Sequence, residues 1–375
     1  MVALRMITGR PIRLLFVFLL AACVQASPLK PAMKAVESIR GRAFLHDVKN
    51  VTIDRADLSA NLRAQMQKGM PYSIAEWETM LRALQLIDAS DGAAMPKLLA
   101  LYESQVLAFY DAQSHTYFSI RQLPQMPPEV ARLADPKMLE ETVMVHELTH
   151  ALQDQYFDLA AKETALMRDT DANLAYHSVL EGEAVLVMVA HMLQKSGVEL
   201  DEVVKDDAMI GMITSAAQAE NAIDPSTPKY FAEMLKFPYL DGLKFVVAAY
   251  KRGGWKEVDK LHANPPRTTR EILHPDQYFA HTFKPEPFAT GKPADAISAE
   301  HLGEFHWRFL LGEPNARGWL NDRAIVHRNG HVEVETKWES EKQATAFADA
   351  YGAFLTKRGV KAKVARAGAV VTAAY

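Results

Sequence analysis

The chain has 375 residues, 49% of them hydrophobic and 23% charged, with a formal charge of −4. These proportions fit one large or two moderate globular domains and exclude long disorder, and no fixed-period repeat marks a solenoid. A mildly acidic body without a basic stripe excludes nucleic acid as the main partner.

At the N-terminus, Arg5, Arg10 and Arg13 precede an apolar run over residues 14–22. The run is too short to favour a transmembrane span and fits the apolar region of an export signal. The single cysteine, Cys23, directly follows Leu20-Ala21-Ala22. This reads as a lipobox: residues 1–22 are removed and Cys23 is lipidated, giving a periplasm-facing membrane lipoprotein. The rival is cleavage after Ala26, which would leave a soluble periplasmic or secreted protein. Loss of the three arginines leaves 39 basic against 46 acidic residues, near −7. The mature body has no disulfides although export permits them, so packing must stabilise it, with or without help from a metal. Residues 24–38, with small residues and two prolines, read as a tether.

A strand is expected at 48–53 and a helix at 58–67. Ser73 and Glu76 form a capping box ahead of helical apolar spacing at Ile74, Trp77, Met80, Leu81 and Leu84. Pro96 opens a further helix. Residues 106–110 and 116–120 read as two strands of a hairpin. Asp135-Pro136 starts a helix running to about residue 157. Helices follow at about 173–195, 201–220 and 228–252, the last kinked at Pro238. Thr268 and Glu271 cap a short helix ending at His274-Pro275. Residues 284–298 read as a linker between a main domain, 39–283, and a small α+β unit, 299–375. In that unit a helix at 300–311 precedes strands at 323–327 and 331–338 turned by Asn329-Gly330. Ser340 and Gln343 then cap a helix to about 357, and strands follow at 360–364 and 369–373.

The chemistry gathers at His146-Glu147-Leu148-Thr149-His150. Two histidines four apart project from one face of a helix, which suits zinc. Glu147 lies about 100° further round, placed to take a proton from a zinc-activated water rather than to ligate. For the third ligand, Glu181 and Glu183 lie about 200° apart on the next long helix, so only one faces the metal. Glu181 is chosen, because Gly182 beside it would let two helices approach closely, a reason for a mid-helix glycine. His177, one turn earlier on the same face, competes as a ligand, as a partner of a ligand or as a substrate-facing group.

These residues resemble the gluzincin metallopeptidases, whose pattern is His-Glu-x-x-His followed downstream by a glutamate, often in Glu-Gly. The chain is most similar to bacterial-envelope metallopeptidases carrying His-Glu-x-x-His-x-Leu-Gln-Asp-Gln and Glu-Gly-[Asp/Glu]-Ala. Here these are HELTHALQDQ at 146–155 and EGEA at 181–184. FYD at 109–111, FPYLDG at 237–242, PPRTTREILHP at 265–275 and, more loosely, GWLNDR at 318–323 extend the likeness over about residues 40–340. The chain departs from the group at Leu320 and Asn321, where the group has glycines, and at His177.

The resemblance implies an α+β, zincin-like fold, with a mainly helical catalytic domain, an N-terminal hairpin or sheet and a small C-terminal unit. It implies Zn2+ on His146, His150 and Glu181, with Glu147 as general base in the hydrolysis of a peptide or protein substrate. It also implies a downstream histidine or tyrosine that stabilises the oxyanion. His274 is the candidate, with Tyr239 and Tyr278 behind it; His274 would alternatively be a helix C-cap. Asp154, one turn after His150, would orient a histidine or lie in solvent. One hairpin strand is expected to pair with an extended peptide. The alternative is a zincin-fold envelope binding or assembly module with little or no hydrolysis. The membrane enters only through the lipid anchor.

Overall fold

The computed structural model describes residues 29–58, 60, 63, 73–121, 136–166, 169–220, 223–284 and 291–375. The signal and Cys23 lie outside these residues, as do Asp135 and most of the helix expected at 58–67. The fold is mixed α+β and mainly helical, with two small sheets.

The first helix, α1 (Leu29–Arg40), stands where the sequence reads as a tether. Prolines and small residues drew that reading. Yet Leu29, Ala32, Met33, Val36 and Ile39 repeat at helical spacing, and all are buried in the core. Strand β1 (Lys49–Ile53) follows, then α2 (Ile74–Ala83) and α3 (Ala94–Gln105). The expected capping box opens α2: Ser73 Oγ accepts from the Glu76 N–H, and the Ser73 N–H donates back to the Glu76 carboxylate at 2.8 Å.

Strands β2 (Ala108–Asp111) and β3 (Thr116–Ile120) form the expected hairpin. Strand β1 pairs in parallel with β3, so the order is β1-β3-β2 and, among the described residues, β2 is an edge. Asp111 shapes the turn by accepting from the Ser114 N–H and hydroxyl, at 3.1 and 2.6 Å.

Two long helices carry the HELTHALQDQ and EGEA stretches: α4 (Pro136–Phe157) and, after α5 (Leu159–Leu166), α6 (Thr170–Lys195). Helix α6 is buried along nearly its whole length, from Asp171 to His191. The helix expected at 201–220 is broken into α7 (Leu200–Val204) and α8 (Asp207–Glu220). Helix α9 (Lys229–Gly253) passes through Pro238 without ending. It lies against α6 at a crossing of two glycines. A Cβ on Gly182 would come within 2.3 Å of the Gly242 carbonyl carbon, and one on Gly242 within 2.2 Å of the Ser178 carbonyl oxygen. The reason inferred for Gly182 therefore holds, and its counterpart is the glycine of FPYLDG.

Helix α10 (Trp255–Ala263) leads to α11 (Thr269–Leu273) and α12 (Pro275–Phe279). Part of the expected linker is ordered as strand β4 (Ala296–Glu300), and the next helix, α13 (Gly303–Leu311), starts later than expected. After α14 (Glu313–Ala316) come β5 (Trp319–His327), β6 (Val332–Trp338), α15 (Glu341–Lys357), β7 (Lys363–Ala367) and β8 (Val370–Ala374). They make an antiparallel sheet ordered β4-β5-β6-β8-β7.

Buried polar groups hold this unit together and stitch it to the helical body. Asp322 of GWLNDR accepts from the Leu302 and Gly303 N–H groups and from the Trp307 and Trp319 indoles. Arg270 donates to the Trp319 carbonyl and the Glu339 carboxylate. Among the described residues, no helix is long and apolar enough to cross a membrane.

Candidate metal centre

Helical spacing sets the first two donors. His146 and His150 lie one turn apart on α4, and α6 brings Glu181 against them. Among the described residues this is the one group of three whose metal-ligand atoms converge, all within 4.8 Å of one another. His146 Nε2 lies 3.0 Å from Glu181 Oε2 and 3.2 Å from His150 Nε2, and His150 Nε2 lies 3.5 Å from Glu181 Oε2. All three residues are buried.

The cluster lines a cleft of about 210 Å³ together with side chains that include Tyr102, Val143, Val185 and Leu235. Two larger surface clefts, about 440 and 510 Å³, hold no such donor cluster. Glu147 lines the same cleft, and its Oε2 accepts from the Tyr110 backbone N–H at 2.9 Å. That N–H points away from β3, on the free side of edge strand β2. Because outward-facing groups recur every second residue, the N–H and C=O of Ala108 face the cleft from the same side.

The electrostatics balance two acids against the imidazoles. Burial alone would raise the Glu181 carboxyl; the His150 charge and contacts from His146, His150 and His177 outweigh it and hold the group well below the usual carboxylate range. Burial opposes a charge on His150, but Glu181 and then Glu147 beside it push the imidazole up to about 9.

The remaining candidates fall in different places. Tyr239 lines the cleft, one turn before Gly242, and its ring stacks on His146 with centroids 5.9 Å apart. Burial, then the nearby Glu181 and Glu147 charges, hold its hydroxyl protonated well above the ordinary tyrosine range. His274 is not among the cleft residues. It caps α11, and its Nε2 lies 2.8 Å from Glu304 Oε1. Tyr278 is likewise engaged elsewhere, donating to the Asn264 carbonyl. Tyr239, ranked behind His274 from sequence, is thus the group beside the donors.

His177 sits behind Glu181, its Nε2 3.4 Å from Glu181 Oε1 and not oriented for a hydrogen bond. Glu183 turns away from the cluster. It receives Arg40 Nε at 2.7 Å, while its Oε2 lies 2.7 Å from His262 Nε2. Burial raises its carboxyl, but Arg40 and His262 prevail and hold it far below the usual range.

Asp154 orients neither histidine of the cluster. It is buried and accepts from the Tyr110 hydroxyl at 2.8 Å and the Leu159 N–H at 3.1 Å, with His115 Nδ1 also at 2.8 Å. It clamps the hairpin to α4. The side chain on His150 Nδ1 is Gln153, at 2.9 Å. Sequence reasoning passed over it, although an i,i+3 partner on one helix face was a readable signal. Arg40 and Gly242 were passed over too, because their partners lie on other elements.

Residues 288–374 match the model of a family described as a domain of unknown function, DUF8575. The match covers the five-stranded sheet and leaves the donor cluster outside it. No curated protein and no solved structure matches the chain.

Proposed function

We propose that the chain is a zinc-dependent peptidase of gluzincin type, with a zincin-like catalytic body. The observation that carries this is the spacing of the three donors. A tetrahedral zinc with bonds of about 2.0–2.2 Å sets its ligands roughly 3.3–3.6 Å apart. The pairs His146–Glu181, His150–His146 and His150–Glu181 are 3.0, 3.2 and 3.5 Å, so the first two would open slightly to seat the ion. Two imidazole nitrogens and one carboxylate oxygen are also the donor set of catalytic rather than structural zinc, which leaves a fourth position open.

Zinc held there would supply a Lewis acid that polarises the scissile carbonyl and acidifies water. Glu147, held by the Tyr110 N–H, accepts the water's proton on its carboxylate and returns it to the leaving amine. The Tyr239 hydroxyl, kept protonated, donates to the developing oxyanion. The outward N–H and C=O of Ala108 on edge strand β2 pair with the peptide backbone and lay it across the cleft. An intact Glu147 favours hydrolysis over a binding module, which has no use for the base.

The proposal includes export and a lipid anchor at Cys23. Intact mass of the mature N-terminal peptide tests it; a free amine on Ser27 without acyl mass would make the enzyme soluble. The decisive experiment on function is metal analysis of the purified mature protein with cleavage of a diverse peptide library. One zinc per chain and cleavage are expected, His150→Ala losing both. A wild-type protein without zinc or cleavage would end the reading.

A further inference from the structure

Two fixed neighbours decide which way the buried Gln153 amide faces. One terminal atom lies 3.1 Å from the Leu180 carbonyl oxygen and 2.9 Å from Glu183 Oε2. A main-chain carbonyl only accepts, so that terminal atom is the amide nitrogen. The other is then the oxygen, 2.9 Å from His150 Nδ1. An amide oxygen only accepts, so His150 carries a proton on Nδ1. With Nδ1 committed to that oxygen, Nε2 is the ring atom left for a metal, which would displace the proton there, and Nε2 is the atom that meets His146 and Glu181.

We infer that Gln153 is a positioning residue that fixes the tautomer and ring orientation of His150, and that Glu183 holds Gln153 in place. This rests on the zinc reading above. Glu183 is itself pinned by two cationic or donor groups from distant parts of the chain, Arg40 of α1 and His262 of α10. Arg40 is in turn seated on the Trp255 ring, 4.4 Å from its centroid, and paired with Asp259 at 2.6 Å. The line therefore runs from two outer helices through Glu183 and Gln153 to a metal-facing histidine. Every member from Arg40 to His150 is buried, so water cannot replace a lost link.

The arrangement gives the Glu-Gly-Glu stretch a division of labour. Two acids about 200° apart on one helix cannot share a metal. Glu181 faces the ion, and Glu183 faces the amide that orients the ion's histidine. Gly182 between them admits α9 and Tyr239.

Two variants at Gln153 separate positioning from simple packing. Gln153→Met fills the space but gives His150 Nδ1–H no acceptor. Gln153→Glu keeps an acceptor there, but sets a carboxylate against the Leu180 carbonyl and Glu183. Zinc affinity is measured by chelator competition, and unfolding of the zinc-free proteins by heat. Gln153→Met is expected to lose about 10–100-fold in zinc affinity, the usual effect of removing such a partner. Gln153→Glu should bind zinc more tightly than Gln153→Met while being the less stable of the two. Affinities that fall in the same order as the stabilities overturn the proposal.

A third readout needs neither zinc nor a folded Gln153→Glu protein. In the zinc-free wild type, His150 Nδ1–H should give a protected imidazole proton resonance, which Gln153→Met loses. Its persistence unchanged in Gln153→Met also overturns the proposal. A wild type that takes up no zinc ends the peptidase reading instead, and the proton resonance still tests the role of Gln153.

Discussion

The Tyr110 backbone N–H donates to Glu147 Oε2 at 2.9 Å, so the proposed base is held by the same strand edge that would hold the substrate. A peptide paired to β2 and a carboxylate fixed by β2 share one frame. Glu147→Gln preserves an oxygen for that N–H but removes the basic carboxylate. The variant should keep stoichiometric zinc and lose at least ~10²-fold in peptide hydrolysis. Wild-type turnover by Glu147→Gln would sink the mechanism.

Tyr239 and His274 make opposite forecasts. Tyr239→Phe retains the stack on His146 and removes the donor, so kcat should fall by about 10²-fold with little change in KM. His274→Gln breaks the pairing with buried Glu304 and should lower stability, leaving kcat within about threefold of wild type. A steady-state comparison decides between them; a larger kcat loss in His274→Gln would restore the assignment made from sequence.

Gly182→Ala should be destabilising by about 1–3 kcal/mol or more, because the new methyl meets backbone rather than a side chain that can swing away. Urea unfolding measures the loss. The same substitution pushes α9 and α6 apart and should weaken zinc binding by displacing Glu181 on α6. A stable Gly182→Ala protein with unaltered zinc affinity would contradict the close crossing.

Asp171 predicts a pH dependence of stability. Its Oδ1 accepts from the Thr269 N–H and hydroxyl, while burial, opposed by those bonds and aided by the Asp169 and Asp322 charges, raises the carboxyl well above its ordinary value. As pH rises past about 4, the unfolded chain gives up this proton and the folded chain keeps it. The folded state then binds more protons, so stability falls with rising pH until the folded carboxyl itself titrates. Asp171→Asn should therefore lose less stability than wild type between pH 5 and pH 7 in urea unfolding. Equal losses would refute the assignment.

The clustering of His146, His150 and Glu181 was legible because helical periodicity can be counted along one chain. His146 with His150, and Glu181 with Gly182, are local patterns, and the capping boxes at Ser73 and Thr268 are local too. What stayed hidden depends on which elements meet. Nothing in the sequence says that Glu304, thirty residues on, takes His274, or that Asp154 holds the hairpin, His115 included, rather than His146 or His150. Arg40, just past the residues read as a tether, carried no signal because its partners, Glu183 and Asp259, are far along the chain. Helix α1 itself was readable from its apolar spacing; Pro28 and Pro31 drew attention away from it.

That helix limits how far the body could stand from a membrane on the proposed lipid anchor. Helix α1 begins at Leu29 and is buried against the body from its first residue. From Cys23 to Leu29 the chain has six steps, which span at most about 20 Å even fully extended. A lipid on Cys23 would therefore act as a short leash. The catalytic body would skim the headgroups, and the proteins it cuts would be those that present an extended segment within that thin layer.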